Sequence, residues 1–193
     1  MRLFVAIPLP DAVQKAIGRL IDALREIPGA RGTFPKPTNS HITVQFLGDI
    51  AEAHLPRLHE ELGRTAALIP APPPLRLEQI GAFPDFKRPR TIWVGGIADE
   101  QLLQLAESVR DACLRAGTPG DDKRFAAHVT LMRVKEISDA KTWQAGVMRL
   151  QFAPQTIDIR EFALFRSDLS SAGPTYTALH AWRLTGASAT DNS

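Results

Sequence analysis

Hydrophobic residues recur along this chain in two spacings, and the change from one spacing to the other predicts its secondary structure. Short apolar or alternating runs predict strands, and apolar residues three or four positions apart predict helices with one buried face. Strands are predicted at residues 3–7, 41–47, 75–83, 91–97, 125–134, 157–165 and 176–184. Helices are predicted to begin at the capping residues Asp11, Asp99 and Ser138 and at Pro56, and to end near residues 26, 114, 149 and 68.

The predicted elements occur in a repeating order. Strand, helix, strand, helix and strand follow one another twice, which predicts an α+β fold of two pseudo-symmetric lobes related by an approximate twofold axis. We expect residues 1–185 to form this single two-lobed domain. The small and polar residues at 186–193 are expected to form a disordered tail.

One short pattern stands out in two of the predicted strands. The order histidine, apolar residue, threonine, apolar residue occurs at 41–44 and again at 128–131. Successive side chains of a strand point to opposite faces, so His41 shares a face with Thr43 and His128 shares a face with Thr130. One copy alone would be weak evidence for a site. Two copies, one in each half, predict a cleft where two imidazoles and two hydroxyls converge.

The overall composition is that of an ordinary globular protein. A hydrophobic fraction of 44% and a charged fraction of 23% permit a substantial core. The formal net charge of +2 is too small to predict bulk nucleic-acid binding, although a local basic cleft stays possible. Cys113 is the only cysteine, which excludes an intramolecular disulfide and a thiolate metal cluster. Its place in a predicted amphipathic helix indicates a packed thiol.

No stretch of the sequence predicts membrane insertion. The apolar N-terminal run is too short for a signal peptide, and no run of about 18 apolar residues occurs. We therefore expect a cytoplasmic protein with no membrane association.

The remaining histidines and the known catalytic motifs narrow the chemistry. His54 and His59 flank a helix start and are interpreted as surface residues, and His180 in the last strand as structural. A zinc site takes three or four ligands, and neither chelating spacing nor a nearby carboxylate accompanies the histidine pair, so no metal or other cofactor is predicted. Neither a nucleophile elbow nor a phosphate-binding loop of nucleotide triphosphatases occurs.

Two histidines suit acid–base catalysis. An ordinary pKa near ~6.5 allows one imidazole to be neutral and its neighbour protonated, so that one ring removes a proton while the other donates one. Cleavage of a phosphodiester needs both roles. The hydroxyls of Thr43 and Thr130 are candidate donors to the phosphate oxygens.

The two motifs and their surroundings resemble a known family. Residues 41–48 and 125–133 are similar to the paired motifs of the two-histidine phosphoesterases, specifically the bacterial and archaeal RNA 2′,3′-cyclic phosphodiesterases first named 2′-5′ RNA ligases. The resemblance covers almost the whole chain. It implies lobes of mainly antiparallel sheet, with outer helices, around a central cleft.

The resemblance also implies an activity and partners. The family hydrolyses a terminal 2′,3′-cyclic phosphate on RNA to a 2′-phosphate without a metal. In that pattern His41 is the acid, His128 the base, and Thr43 and Thr130 hold the phosphate, but the roles of the two histidines are nearly symmetric and could be reversed. Expected partners are RNA ends or nucleotides bearing a cyclic phosphate. We expect a monomer with no obligate protein partner.

Two other functions stay open. The same site could run in reverse and join RNA ends in 2′-5′ linkage, which would use the same residues. Alternatively, the chain could be a non-catalytic module that binds RNA ends and uses the histidine pair to grip phosphate.

Phe46 and Arg133 each follow their motif histidine by five positions, an odd offset that strict alternation places on the opposite face. Phe46 is either a core residue or, as the resemblance implies, a platform for base stacking, which would require a bulge to redirect the ring. Arg133 is interpreted as a phosphate contact.

The chain also departs from the family pattern. The lead-in at 34–40 is longer and less regular, and Ala127 stands where the family often has proline. Three cations in one turn, Lys87, Arg88 and Arg90, either extend a basic rim for RNA or keep the loop soluble, and we favour the second interpretation.

Overall fold

The protein is described by a computed structural model over residues 1–170 and 173–186. Within this part of the chain the strands are β1 (Arg2–Pro8), β2 (Ala30–Thr33), β3 (His41–Asp49), β4 (Leu75–Leu77), β5 (Gln79–Phe83), β6 (Thr91–Gly95), β7 (His128–Ile137), β8 (Gln155–Ile157), β9 (Glu161–Ser170) and β10 (Gly173–Arg183). The α-helices are α1 (Asp11–Arg25), α2 (Leu55–Leu68), α3 (Glu100–Arg115) and α4 (Ala140–Met148), with short 3₁₀ turns at Pro37–Asn39 and Glu52–His54. The α+β prediction is confirmed.

The strands form two four-stranded antiparallel sheets and one small pair. The first sheet has the order β10-β9-β1-β3 and the second has the order β2-β7-β6-β5, while β4 pairs with β8. The sheets are not built from consecutive halves of the chain. The first sheet combines strands from both ends of the chain, and the second takes in the early strand β2.

Each sheet carries one of the two histidine motifs. β3 holds the first motif at an edge of the first sheet, and β7 holds the second motif inside the second sheet. The two motif strands also contact each other directly. The cleft predicted from the sequence therefore lies between the two sheets, where β3 and β7 meet.

The helices cover the faces of the sheets that point away from the cleft. Helix α1 follows β1 of the first sheet but contacts β7 of the second, and α3 follows β6 of the second sheet but contacts β3 of the first. Each motif strand is thus backed by a helix that begins after a strand of the other sheet. This exchange binds the two sheets into one unit.

The core lies between the sheets and these helices. In α1 a single stripe of apolar residues is buried, as its three-and-four spacing predicts, and β1 is buried from Leu3 to Ile7. Ile42 and Val129, between the histidine and threonine of each motif, are both buried, which confirms the predicted alternation. Each such side chain stabilises the fold by about 1.5–3 kcal/mol through its burial.

Cys113 is a packed thiol, as predicted. It lies in α3, fully buried, and burial raises the pKa of the thiol to about 12. Asp99 caps the same helix by accepting a hydrogen bond from the Leu102 N–H at 2.8 Å, also as predicted.

Two predicted caps are wrong by one residue. Pro10, not Asp11, occupies the N-cap of α1, and Asp11 is its first residue. Asp139, not Ser138, caps α4 by accepting from the Thr142 N–H at 3.0 Å. Ser138 and Asp139 both favour the N-cap, so the pattern alone cannot separate them.

Some strands also differ from prediction. The predicted strand at 75–83 is divided at Glu78, and its two parts lie in different sheets. The predicted strand at 157–165 is likewise divided between β8 and β9. Strand β2 is short and lacks an apolar alternation, so the sequence did not indicate it.

The predicted tail at 186–193 lies, beyond Gly186, outside the described residues. The extent of the domain therefore stays a prediction. In the described part of the chain, the structure contains no helix with the length and apolar character needed to span a bilayer.

Candidate active site

The two motif histidines line one cavity of about 370 Å³ between the sheets. His41 is the first residue of β3, and His128 is the first residue of β7. Thr43 and Thr130 line the same cavity, two positions along their strands. The structure therefore brings together the four side chains that strand alternation predicted to converge.

Both imidazoles are held by the same kind of hydrogen bond. Nδ1 of His41 lies 2.6 Å from the carbonyl oxygen of Asn39, and Nδ1 of His128 lies 2.8 Å from that of Ala126. A carbonyl can only accept, so in each ring Nδ1 carries the hydrogen and donates it. Nε2 is thereby left to exchange a proton in both rings, which is the arrangement that acid–base catalysis requires.

The two motif strands share a bulge at equivalent positions. In β3 the register passes from Thr43 to Gln45, and in β7 it passes from Thr130 to Met132, so the fourth motif residue is skipped in each pairing. Gln45 and Met132 are buried. The bulge shifts the alternation by one residue, and the side chains five positions after each histidine return to the histidine face.

Arg133 reaches the cavity because of this bulge. It lines the cavity with both histidines, and its positive charge lowers the pKa of each imidazole. A guanidinium in this position matches the geometry of a phosphate. Arg133 therefore lies in the same cavity as the four motif side chains, and its contact with phosphate stays a prediction.

Phe46 is redirected in the same way but does not line the cavity. The guanidinium of Arg2 lies over its ring, 5.0 Å from the centroid, in a cation–π contact. The structure therefore does not bring Phe46 together with the other predicted site residues, and its base-stacking role stays a prediction.

Aromatic side chains surround each imidazole. The ring of His41 lies 4.8 Å from that of Phe4 and 5.2 Å from that of Tyr176, between centroids. The ring of His128 lies 4.9 Å from Phe83, at 90°, and 6.2 Å from Trp93. These contacts remove water from the rings.

Loss of water shifts both histidines toward their neutral forms. Burial lowers the pKa of His41 from its ordinary value of 6.5 to about 4, and the charges of His128 and Arg133 lower it as well. Burial also lowers the pKa of His128, and Arg133 acts in the same direction. A phosphodiester between the rings would add negative charge and raise both pKa values.

Several residues of the cavity were not predicted as site residues. Tyr176, Asn39 and Pro174 line it on the side of His41, and Phe34 lines it after β2. The side-chain amide of Asn39 donates to the Pro174 carbonyl oxygen at 2.9 Å and joins the turn before β3 to β10. The available signal was that Tyr176 is the only tyrosine in the chain and follows a Gly-Pro turn.

The other histidines lie outside the cavity. His54 and His59 are exposed, which confirms the surface interpretation. His180 is exposed too, with its ring 4.3 Å from that of His59 and 4.6 Å from that of Trp182. Throughout the described residues, no group of three or more His, Cys, Asp or Glu side chains is placed to hold a metal ion.

The fold and the two histidines in one cavity define the class of two-histidine phosphoesterases. Comparison with known proteins identifies the family. The chain belongs to the family described as LigT like Phosphoesterase, whose model matches residues 7–93 and 96–176. The resemblance found in the motifs is therefore confirmed.

Relatives with a named activity extend over nearly the whole chain. The RNA 2′,3′-cyclic phosphodiesterase of Archaeoglobus fulgidus is 31% identical over 182 residues, which are 93% of this chain and 98% of that protein. The RNA 2′,3′-cyclic phosphodiesterase of Thermus thermophilus is 35% identical over 198 residues, with coverage of 96% and 91%. The crystal structure of E. coli LigT complexed with 3′-AMP has a TM-score of 0.74 and 27% identity, and covers 95% of this chain and 98% of that one.

Proposed function

We propose that this chain is an RNA 2′,3′-cyclic phosphodiesterase, a phosphoric diester hydrolase that opens a terminal cyclic phosphate to a 2′-phosphate. One observation carries the proposal: His41 and His128 line one cavity, each with Nδ1 held by a carbonyl and Nε2 left for chemistry. The names of the relatives support the choice of substrate.

The proposed reaction uses the four motif side chains and Arg133. Water attacks phosphorus as one imidazole takes its proton, and the bond from phosphorus to O3′ breaks as the other imidazole protonates that oxygen. The products are a 2′-phosphate and a 3′-hydroxyl. Thr43, Thr130 and Arg133 donate to the non-bridging oxygens, where charge develops. No step in this scheme calls for a metal or another cofactor.

The two histidines take opposite roles in this reaction. The family resemblance implies that His41 is the acid and His128 the base, and we keep this assignment. The low pKa of His41 by itself favours a neutral ring, so the proposed acid depends on the charge of the bound phosphate to become protonated.

A substrate analogue with sulfur in place of O3′ tests the assignment, because a thiolate departs without a proton. We expect the loss of rate in His41→Ala to be much smaller with the sulfur analogue than with the oxygen substrate, and the loss in His128→Ala to be the same with both. The opposite pattern would reverse the roles.

Substitution of either histidine tests the function itself. We expect His41→Ala and His128→Ala each to lower kcat for a nucleoside 2′,3′-cyclic phosphate by about 10²–10⁴-fold, measured in the presence of EDTA, because each removes one proton-transfer step. The control is His59→Ala, an exposed histidine outside the cavity. Retained turnover in either site variant would contradict the mechanism, and tight binding without turnover in the unsubstituted protein would indicate a binding module.

The pH dependence provides a further criterion. The rate profile should be bell-shaped, and the acid limb of kcat/KM, which reports the enzyme without substrate, should lie below pH 6.5 because burial lowers the pKa of both rings. The expected monomeric state and cytoplasmic location stay predictions.

A further inference from the structure

A partly exposed pair of aromatic residues packs against His128 and lies outside the cavity. It consists of Phe83, at the end of β5, and Trp93 of β6, with ring centroids 5.1 Å apart and a tilt of 32°. We call these two residues the Phe83 platform. Neither residue lines the cavity, so the mechanism described above does not use them.

The platform is built into the second sheet by a glycine. Gly81 of β5 lies opposite Trp93 of β6 in the sheet register, and a Cβ at position 81 would overlap the indole ring. Only glycine allows the indole to lie flat against β5. Trp93 in turn supports one side of Phe83, which stays 36% exposed.

The platform lies immediately beside a reacting group. The ring of Phe83 meets that of His128 edge to face, with centroids 4.9 Å apart. A flat group stacked on the exposed part of Phe83 would therefore lie next to the imidazole that serves the attacking oxygen. Nucleobases are the flat groups that RNA carries, and stacking on aromatic rings is a common way of binding them.

The second sheet separates the platform from the cavity. Its strand order is β2-β7-β6-β5, so Thr33 of β2, which lines the cavity, and the platform on β5 and β6 lie on opposite sides of β7. Tyr176, Pro174 and Asn39 form cavity walls on the side of His41, which suits the nucleoside that carries the cyclic phosphate. In a displacement at phosphorus the attacking and leaving oxygens are roughly in line. The attacking oxygen then approaches on the side of His128. A water molecule there cannot use the platform, whereas a nucleoside that carries the attacking hydroxyl could stack its base on Phe83.

Positive charge surrounds the loop that follows Phe83. Lys87, Arg88 and Arg90 are exposed there, against one carboxylate, Asp85, whose oxygen accepts from the backbone N–H groups of Lys87 and Arg88. The backbone N–H of Arg90 donates to the Phe83 carbonyl oxygen at 2.7 Å, which holds this residue beside the platform. Phosphates that follow a nucleoside stacked on Phe83 would meet these cations.

We propose that the Phe83 platform binds the first base of the acceptor RNA, the strand with a free 5′-hydroxyl, in the joining reaction that the family resemblance leaves open, and so determines the balance between joining and hydrolysis. This inference rests on the proposed function. The acceptor O5′ attacks phosphorus, its proton passes to His128, and the bond to O3′ breaks as His41 supplies a proton to O3′. A 2′-5′ phosphodiester and a 3′-hydroxyl result, and no other reactant is needed.

The ratio of joined to hydrolysed product tests the inference. An oligoribonucleotide ending in a 2′,3′-cyclic phosphate is incubated with a 5′-hydroxyl oligoribonucleotide, and both products are quantified for the unsubstituted enzyme, Phe83→Leu and Phe83→Trp. We expect Phe83→Leu to lower the ratio by about 10-fold, because one base loses its stacking partner. Phe83→Trp keeps a flat ring and should retain the ratio.

The ratio separates acceptor binding from support of His128. Both products arise at the same histidines, so a misplaced imidazole lowers both and leaves the ratio unchanged. An unchanged ratio in Phe83→Leu, or no joined product from the unsubstituted enzyme, would overturn the inference while leaving hydrolysis intact. If the unsubstituted enzyme did not hydrolyse the cyclic phosphate at all, the proposed function would be overturned instead.

A second variant tests the loop. We expect Lys87→Gln combined with Arg88→Gln to lower the ratio with an oligonucleotide acceptor, most strongly at low salt, and to leave the ratio with free adenosine as acceptor unchanged, since adenosine has no phosphate. An equal effect on both acceptors, or no effect on either, would show that the loop does not bind the acceptor phosphates.

Discussion

The two active-site imidazoles are oriented by main-chain carbonyls. Asn39 and Ala126 each supply the carbonyl two residues before their histidine, and a main-chain acceptor is kept whatever the side chain at that position. The residue at position 127, where the family often has proline and this chain has Ala127, does not take part in this hydrogen bond. The carbonyl that orients His128 belongs to Ala126. The same acceptor in both strands also makes the two rings chemically alike, so their different roles must come from their surroundings.

The half-buried His41 should make stability depend on pH. Its pKa is about 4 in the folded protein and 6.5 when unfolded, so between these values the unfolded chain binds a proton that the folded protein does not. Stability therefore rises with pH across this window, and by the pKa difference His41 alone contributes up to about 3 kcal/mol. Urea unfolding at pH 7.5, 6 and 5 should show this slope.

The variant His41→Gln isolates that contribution. Its amide can donate to the Asn39 carbonyl as the imidazole does, but it does not titrate. The free energy of unfolding of His41→Gln should fall less steeply between pH 7.5 and 5 than that of the unsubstituted protein. Equal slopes would mean that folding does not lower the pKa of His41.

The two threonines offer a direct measure of phosphate stabilisation. Thr43→Val and Thr130→Val keep the shape of the side chain and remove one donor, so each should lower kcat by about 10²-fold, since the donor acts on charge formed in the transition state. KM should change less than kcat. The matched control is Thr177→Val, on the exposed face of β10. A change confined to KM would show that the hydroxyls bind substrate and transition state equally.

At the scale of the element, the twin bulges determine which residues reach the site. Strand alternation was enough to predict the shared face of each histidine and threonine. It could not predict the extra residue in β3 and β7, because a bulge depends on the pairing with the neighbouring strand. Arg133 was therefore assigned by its chemistry, against the parity of its position. The consecutive buried residues Leu131 and Met132 are the trace that the bulge leaves in the sequence.

The division of residues 75–83 has a related cause. A run of apolar residues predicts that a segment is extended, but not that it leaves one sheet for another. The Glu78 N–H donates to the Gly95 carbonyl oxygen at 3.0 Å, so the chain is still held to β6 where β4 ends and β5 begins. Long-range pairing of this kind is absent from local patterns.

Gly81 should be required for the arrangement of β5 and β6. In Gly81→Ala the new methyl group would overlap the Trp93 ring, so the indole must move, at a cost of about 1–3 kcal/mol in the free energy of unfolding. In a Trp93→Leu background the same change should cost distinctly less, because the ring is gone. Equal costs in both backgrounds, measured by urea unfolding, would show that the clash is relieved elsewhere.

At the scale of the whole molecule, the two halves of the sequence do not form separate sheets. Each sheet contains strands from both halves of the chain. The symmetry of the motifs predicted two similar lobes facing one another. It could not show that β9 returns to pair with β1, or that β2 pairs with β7, since neither pairing leaves a local signal. For the same reason Tyr176 was not predicted as a site residue: it reaches His41 from the opposite end of the chain.

This exchange predicts that neither half of the chain folds alone. A fragment of residues 1–95 would lack β7, β9 and β10, and a fragment of residues 96–193 would lack β1 and β6. Each fragment would therefore leave at least one strand of each sheet without a neighbour that it has in the whole protein. We expect each fragment to be largely unfolded by circular dichroism and an equimolar mixture to regain structure. Cooperative unfolding of a single fragment would contradict this.

The burial of Cys113 has a practical consequence for such measurements. The chain has no second thiol, and this one lies fully inside α3 with its pKa raised to about 12, so thiol reagents at neutral pH can reach a reactive thiolate only when the helical layer opens. The rate at which a maleimide labels Cys113 therefore reports how often this part of the core opens. Cys113 is thus a natural probe of unfolding, and it lies in a helix that packs on β3 rather than in the catalytic cavity.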